Sequence, residues 1–270
     1  MFHVCANDNV KLAVYALNPG GIETVLMVHG WPLSHEIYEY QTELLVKCGY
    51  RVVTVDVRGF GNSDAPAAGY CYDQLADDIY TVVRSLNLGC FTLVGFCIGG
   101  AIALRYMKRY EGYGVKRLML LGAAAPCFVK GPYPYGTSEE NMEKMIALIS
   151  SDRPEMCYDL SRMMLAMPHS EAIKDWFYQI SIRASGIGTL QSACSLRDED
   201  CTEDLKSVQV PTGIFHGKKD LIVPFKLAKI QDEMICNSIL YPFESSGHAV
   251  FYDELEKFNK CFIDFIEGRY

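Results

Sequence analysis

The chain has 270 residues, 50% of them hydrophobic and 21% charged, which supplies one sizeable core and excludes a globally disordered chain. A formal net charge of -8 and a pI of about 5.3, with no basic stripe to neutralise phosphates, exclude a nucleic-acid binder. Mean hydropathy is +0.05, yet no charge-free apolar run approaches the roughly 18–20 residues needed to span a bilayer, so no membrane partner is expected.

In chain order, Lys11–Leu17 reads as a strand and Glu23–His29 as a buried one. Glu36–Lys47 has helical character and stops near Gly49. Arg51–Asp56 is again a strand. Over Tyr72–Leu88, Leu75, Ile79, Val82, Val83 and Leu86 fall on one helical face. Phe91–Gly95 is a strand, Gly99–Tyr110 a helix and Lys116–Gly122 a strand. The rhythm resumes with the strand Pro211–His216, a helix near Phe225–Ile235, the strand Ser238–Phe243 and a last helix over Asp253–Glu267.

Strands alternating with crossover-length helices predict an α/β fold, a mostly parallel sheet covered on both faces. Residues 126–206 break the alternation. They are helix-like, rich in Met and Tyr, and punctuated by Lys130-Gly-Pro-Tyr-Pro-Tyr-Gly136. The predicted organisation is a core of residues 1–125 and 207–270, with 126–206 inserted as a helical cap over the C-terminal edge of the sheet, where ligands bind in such folds.

The eleven cysteines are irregularly spaced, with no C-x-x-C pair and no zinc-finger pattern. They read as free thiols of a cytoplasmic protein, in keeping with an N-terminus (Met-Phe-His-Val-Cys-Ala-Asn) that lacks the basic start and apolar run of a secretory signal. The acidic run Arg197–Asp200 with Glu203 and Asp204 reads as a solvated loop-to-helix boundary. Neither a metal nor a cofactor is expected.

Gly95-Phe-Cys97-Ile-Gly99-Gly100 lies between a predicted strand and a predicted helix, the context of a nucleophile elbow. A turn that sharp needs neighbours without side chains, and the glycines supply them. The following helix points amides and a positive dipole end at the nucleophile. His248 sits in Ser246-Gly-His-Ala, past the last predicted strand, where a general base would be presented. Asp220 follows the penultimate strand in His216-Gly-Lys-Lys-Asp. The order Cys97, Asp220, His248 is nucleophile, acid, base. In His29-Gly-Trp31-Pro32 the glycine allows a close approach of backbone to substrate, and the amides of Trp31 and Ile98 are the candidate oxyanion hole. Trp31, Phe96 and Trp176 are candidate substrate-binding residues, with Phe177, Tyr178 and the Met163–Met164 pair nearby in type. Asp56 and Arg58 are expected to hold loops together beside the site.

With these motifs assembled, the chain resembles the α/β-hydrolase superfamily, in its branch of esterases, lactonases and cofactor-free haloperoxidases (perhydrolases). The resemblance rests on His-Gly-Trp-Pro at 29–32, Asp-x-Arg-Gly-x-Gly-x-Ser at 56–63, Gly-x-Cys-x-Gly at 95–99, His-Gly-x-x-Asp at 216–220, Gly-His at 247–248 and Leu120-Leu-Gly-Ala-Ala-Ala-Pro126. It covers nearly the whole chain, and it departs from the family at Cys97, where most members have Ser. Dienelactone hydrolases, another branch, are similar in using Cys there.

The resemblance implies hydrolysis of small carboxylic esters or lactones by a Cys97-Asp220-His248 triad through an acyl-thioester intermediate. A thiol, with an ordinary pKa of about 8.5, ionises far more readily than an alcohol. Attack is then easy and collapse is the difficulty, because thiolate leaves better than alkoxide. Aryl and enol esters, enol lactones and thioesters are the expected substrates. Two alternatives stand beside this reading. One is acyl transfer or perhydrolysis on the same triad. The other is a weakly catalytic protein of this fold that binds a small molecule.

Overall fold

The computed structural model describes residues 1–129 and 131–270. Eight strands form one sheet: β1 (Phe2–Cys5), β2 (Lys11–Leu17), β3 (Thr24–Val28), β4 (Arg51–Val55), β5 (Phe91–Phe96), β6 (Val115–Leu121), β7 (Thr212–Gly217) and β8 (Ser238–Phe243). Their spatial order is β1-β2-β4-β3-β5-β6-β7-β8. The β1–β2 and β2–β4 pairs are antiparallel and the rest parallel. Every residue of β3, β5 and β7 is buried, which requires helices on both faces.

The helices that follow in the core are α1 (Glu39–Lys47), preceded by a 3-10 turn at His35–Tyr38, then α2 (Tyr72–Ser85) and α3 (Ile98–Arg109). Between β6 and β7 the chain forms α4 (Glu139–Met163), α5 (Glu171–Ile182), α6 (Gly186–Asp198) and α7 (Thr202–Lys206), with no strand of the sheet. After β7 come α8 (Phe225–Met234), the single turn α9 (Val250–Asp253) and α10 (Leu255–Ile266). α4 is two helical pieces joined across a kink at Asp152 (φ -149°, ψ 72°), two residues before Pro154. Asp152 Oδ1 accepts from the Glu155 amide at 3.1 Å, so Asp152 caps the second piece, and Pro154 in its first turn has no N–H to close the ladder across the kink.

The structure adds one strand to the sequence reading. In β1 only Val4 is buried, so the segment carries almost no apolar signal, and pairing with β2 alone defines it. α2 ends three residues earlier than its apolar stripe suggests, because Asn87 turns the chain with φ +51°. The acidic run is also less solvated than expected. Asp204 is buried against Arg105 Nε at 2.8 Å, and Glu199 accepts from the Tyr72 amide at 2.6 Å. Arg105 on α3 supplies the countercharge that allows this burial. The eleven cysteines are free thiols. Among the described residues no helix is long and apolar enough to cross a membrane.

Candidate active site

Four loops leave the same edge of the sheet, because β3, β5, β7 and β8 are parallel members of one ladder. They carry Trp31, Cys97, Asp220 and His248 respectively.

Cys97 is the residue between β5 and α3 and has φ +54°, ψ -119°. A side chain with Cβ rarely occupies positive φ, so the turn must be held from outside. The Cys97 amide donates to Leu121 O (3.0 Å), and its carbonyl accepts from the amides of Gly100 and Ala124 (3.0 Å each). A Cβ on Gly95 would lie 2.3 Å from Gly99 O, and one on Gly99 would lie 2.4 Å from Val28 O. Only glycine lets β3, β5 and α3 close to this distance.

Asp220 and His248 meet because β7 and β8 are neighbours in register, Gly217 opposite Phe243. A Cβ on Gly217 would lie 2.1 Å from Gly247 O, so the two loops cross in contact. His248 Nδ1 is 2.7 Å from Asp220 Oδ2, and both side chains are almost fully buried. The other oxygen of Asp220 accepts from the amides of Ile222 and Val223 at 2.8 Å each. The imidazole then reaches back across β6 toward β5. The residue it passes is Gly122, whose Cβ, were there one, would stand 3.1 Å from His248 Nδ1. His248 Nε2 is buried and has no hydrogen-bond partner among the described residues, and the ring rests on Phe96 at 4.7 Å.

Burial alone would lower the His248 pKa. The Asp220 carboxylate and the nearby Cys97 sulfur outweigh it and push the imidazole up to about 10. Burial likewise pushes Asp220 up, but His248 and His216 prevail and hold it well below the usual carboxylate range. His216 Nε2 lies 3.3 Å from the same Asp220 oxygen and 2.8 Å from Val223 O.

The Trp31 and Ile98 amides donate to none of the described protein groups. They come from the paired parallel strands β3 and β5, with Val28 opposite Gly95. Beside them, Asp56 is fully buried and accepts from the His35 amide and Nδ1 (2.8 Å each) and from the Asn62 amide (2.9 Å). Arg58 pairs with Asp78 at 2.6 Å and Asp8 at 2.8 Å. Both residues join loops, as their sequence context suggests.

A cavity of about 10 Å³ lies over the site, room for roughly one water. Trp31, Cys97, Ile222 and His248 line it from the core loops. Phe128, Met145, Leu160, Met164 and Leu196 close it from the segment between β6 and β7. Two of the residues expected to bind substrate lie outside this lining. Phe96 is not in this lining: successive strand residues point to opposite faces, so as Cys97 turns up Phe96 turns down onto His248 and Phe251. Trp176 is not there either. It packs at 5.0 Å on Phe177 and within 6.4 Å of Tyr40 and Tyr252, because Phe177 holds the fully buried face of α5. Trp31 is in the lining, and its indole Nε1 donates to Thr189 O at 2.9 Å. Of the methionine pair, Met164 reaches the cavity while Met163 is exposed. Phe128, Met145, Leu160, Leu196 and Ile222 carry no chemical signature, so only their position reveals them.

Asp253 is a further residue with a role at the site. Its buried carboxylate accepts from the amides of Gly247 (2.6 Å), Ala166 (2.9 Å) and Met167 (3.2 Å), and His169 Nε2 lies 2.8 Å away. One side chain thus ties the loop carrying His248 to the α4–α5 connection.

A sharp turn with positive φ at the end of β5, with a carboxylate–imidazole pair after β7 and β8, is the arrangement of an α/β-hydrolase, and the chain belongs to that family. Residues 23–255 match the family model described as alpha/beta hydrolase fold. The chain is 43% identical to the AB hydrolase superfamily protein YisY of Bacillus subtilis over 97% of this chain and 98% of that one. Among solved structures it is similar to an esterase (EaEST) from Exiguobacterium antarcticum, with TM-score 0.96 and 41% identity over 98% of this chain and 99% of that one. It is also similar to a bromoperoxidase from Bacillus anthracis, with TM-score 0.93 and 30% identity over 98% and 99% of the two chains.

Proposed function

We propose that this protein is a cytoplasmic carboxylic ester hydrolase whose nucleophile is Cys97, with His248 as base and Asp220 as its orienting acid. The observation that carries the reading is the 2.7 Å Asp220–His248 contact, which leaves Nε2 without a hydrogen-bond partner among the described residues on a side chain that lines the same cavity as Cys97. Residues 1–125 and 207–270 act as the core and 126–206 as the cap that closes the site from water.

In the proposed reaction His248 takes the Cys97 proton and the sulfur attacks the acyl carbon. The Trp31 and Ile98 amides receive the oxyanion, since their N–H groups have no other partner. The leaving alkoxide or thiolate takes the proton from His248, which leaves a thioester on Cys97. Water then gives its proton to His248 and adds to the acyl carbon, and the carbon–sulfur bond breaks. Because a thiolate is expelled more easily than an alkoxide, aryl and enol esters, enol lactones and thioesters are the preferred substrates. The likeness to an esterase at 41% identity supports the ester class.

The likeness to a bromoperoxidase gives perhydrolysis on the same triad a specific basis. Cysteine weighs against it, because peroxide oxidises a thiolate to sulfenic acid and would consume the nucleophile. Water is therefore the acceptor in this proposal. The test is incubation with p-nitrophenyl acetate followed by intact-mass and peptide analysis. An acetyl group on Cys97 that turns over supports the reading, and nitrophenol release without it, or no release, overturns it.

A further inference from the structure

Three cavities adjoin near Cys97, each sharing lining residues with the next. The 10 Å³ catalytic cavity shares Phe128, Met145, Leu160 and Ile222 with a groove of about 500 Å³. That groove shares Gly136 and Pro224 with a third hollow of about 580 Å³. The three differ in chemistry. The first is almost wholly apolar and, with room for roughly one water, admits little beyond the reacting carbonyl until its wall yields. The groove mixes Leu148, Met156 and Met163 with Thr137, Asn141 and Lys144, so it suits a long arm with both methylene and amide parts. The third is lined by Lys218, Lys226 and Lys229.

All three lysines are exposed, and what sets them apart is their convergence on one hollow. The chain carries a net -8, yet three lysines line one hollow whose only carboxylate is Asp220, already bound to His248. Lys218 is paired with Glu244 at 2.6 Å. Lys226 and Lys229 have no carboxylate partner among the described residues, and lie over the rings of Tyr135 (4.8 Å) and Phe225 (5.9 Å). A pair of unneutralised cations in a hollow that adjoins the groove is suited to an anion on the substrate's far end.

We infer that the substrate is a short-chain acyl thioester of a phosphorylated thiol of the coenzyme A class, with its acyl group at Cys97, its amide-bearing arm in the groove and its phosphates on Lys226 and Lys229. This rests on the proposed role of Cys97 and narrows its substrate. The chemistry agrees with the geometry. Cys97 sulfur bonds to the acyl carbon and the substrate's carbon–sulfur bond breaks. The departing thiolate takes its proton from His248, and water later releases the acid. The two sulfurs compete on equal terms as leaving groups, so the reversal that hampers an alkyl ester does not arise. The wall between cavity and groove is formed in part by Met145, a side chain that changes shape easily, so the arm passes once it swings aside.

The experiment compares kcat/KM for acetyl-CoA and S-acetyl-N-acetylcysteamine, the same thioester without phosphates, with p-nitrophenyl acetate as a third acyl donor. Acetyl-CoA is expected to be preferred at least tenfold over the short thioester, with the preference falling toward one as salt rises to 0.5 M. In the double variant Lys226→Glu, Lys229→Glu the ratio of the two thioesters is expected to fall to about one. The salt series on the native chain needs no variant to fold. A ratio near one in the native chain, or one insensitive to salt, overturns this inference while leaving Cys97 catalysis intact. Failure of all three donors to acylate Cys97 overturns both.

Discussion

His248 stands 2.7 Å from Asp220 with its Nδ1 engaged and its Nε2 without a partner among the described residues, packed so closely on Gly122 that a Cβ there would stand 3.1 Å from Nδ1. The pair links three neighbouring strands: β7 presents the acid, β8 the imidazole, and the turn after β6 leaves the space between them and Cys97.

That pair makes stability depend on pH in a defined sense. The His248 pKa is raised on folding from 6.5 to about 10, so its contribution is complete below 6.5 and is lost as pH climbs through 10. Asp220 is lowered, so its contribution is present above its ordinary 3.8 and is lost only in strong acid. The stability advantage of the native chain over His248→Gln in urea unfolding is therefore expected to be greatest from about pH 4 to 6.5 and to shrink steadily toward pH 10. An advantage level across that range contradicts the proposed pairing.

Replacing the nucleophile changes which leaving group is tolerated. In Cys97→Ser the ratio of kcat/KM for phenyl acetate over ethyl acetate is expected to fall about tenfold or more, because an alkoxide no longer competes with a thiolate. Steady-state assays of the two esters measure this. Ethyl acetate turned over faster by the native chain than by the serine variant refutes the proposed thioester route.

Gly99→Ala tests the closeness of the elbow. The new Cβ would fall 2.4 Å from Val28 O and 2.6 Å from His29 O, both backbone atoms that cannot step aside. A loss of about 3 kcal/mol is expected in chemical denaturation, the upper end for overpacking. A loss under 1 kcal/mol would mean that the turn is looser than the distances require.

Asp253→Ala removes the acceptor of three amides at once. Leaving buried donors unsatisfied costs about 1–3 kcal/mol each, without simple addition, so a total near 3 kcal/mol is expected. Asp253→Asn keeps one acceptor oxygen and should recover part of it. Because Gly247 adjoins His248, kcat for p-nitrophenyl acetate is expected to fall more in the alanine variant than in the asparagine variant. Equal kcat in all three chains would show that the tie does not position the base.

Much of the core was readable before the structure. β2 to β8 lie where short apolar runs end in turn residues, with the clearest runs in β3 and β5, whereas the equally buried β7 has only Ile214 and Phe215 as large apolar residues. β1 was not readable, since only one of its four residues is buried. At the site, Cys97, Asp220 and His248 stand out in the sequence because each lies within three residues of a glycine shortly after a strand. Phe96 and Trp176 lie outside the cavity lining for the opposite reason. An aromatic side chain announces burial but not direction, and direction depends on strand pleat and on neighbours such as Tyr40, Tyr252 and Phe251.

The sequence by itself determined the alternation of strands and helices, the family, and the three residues whose types suit acyl chemistry, because these are local patterns along the chain. The tertiary structure decided what surrounds them. Phe128, Met145, Leu160 and Ile222 line both the cavity beside Cys97 and the adjoining groove, and Lys226 and Lys229 share a hollow with Asp220, only through contacts between residues far apart in sequence. Side-chain type fixes what a residue can do, while packing across the sheet and the helices above it fixes what it meets.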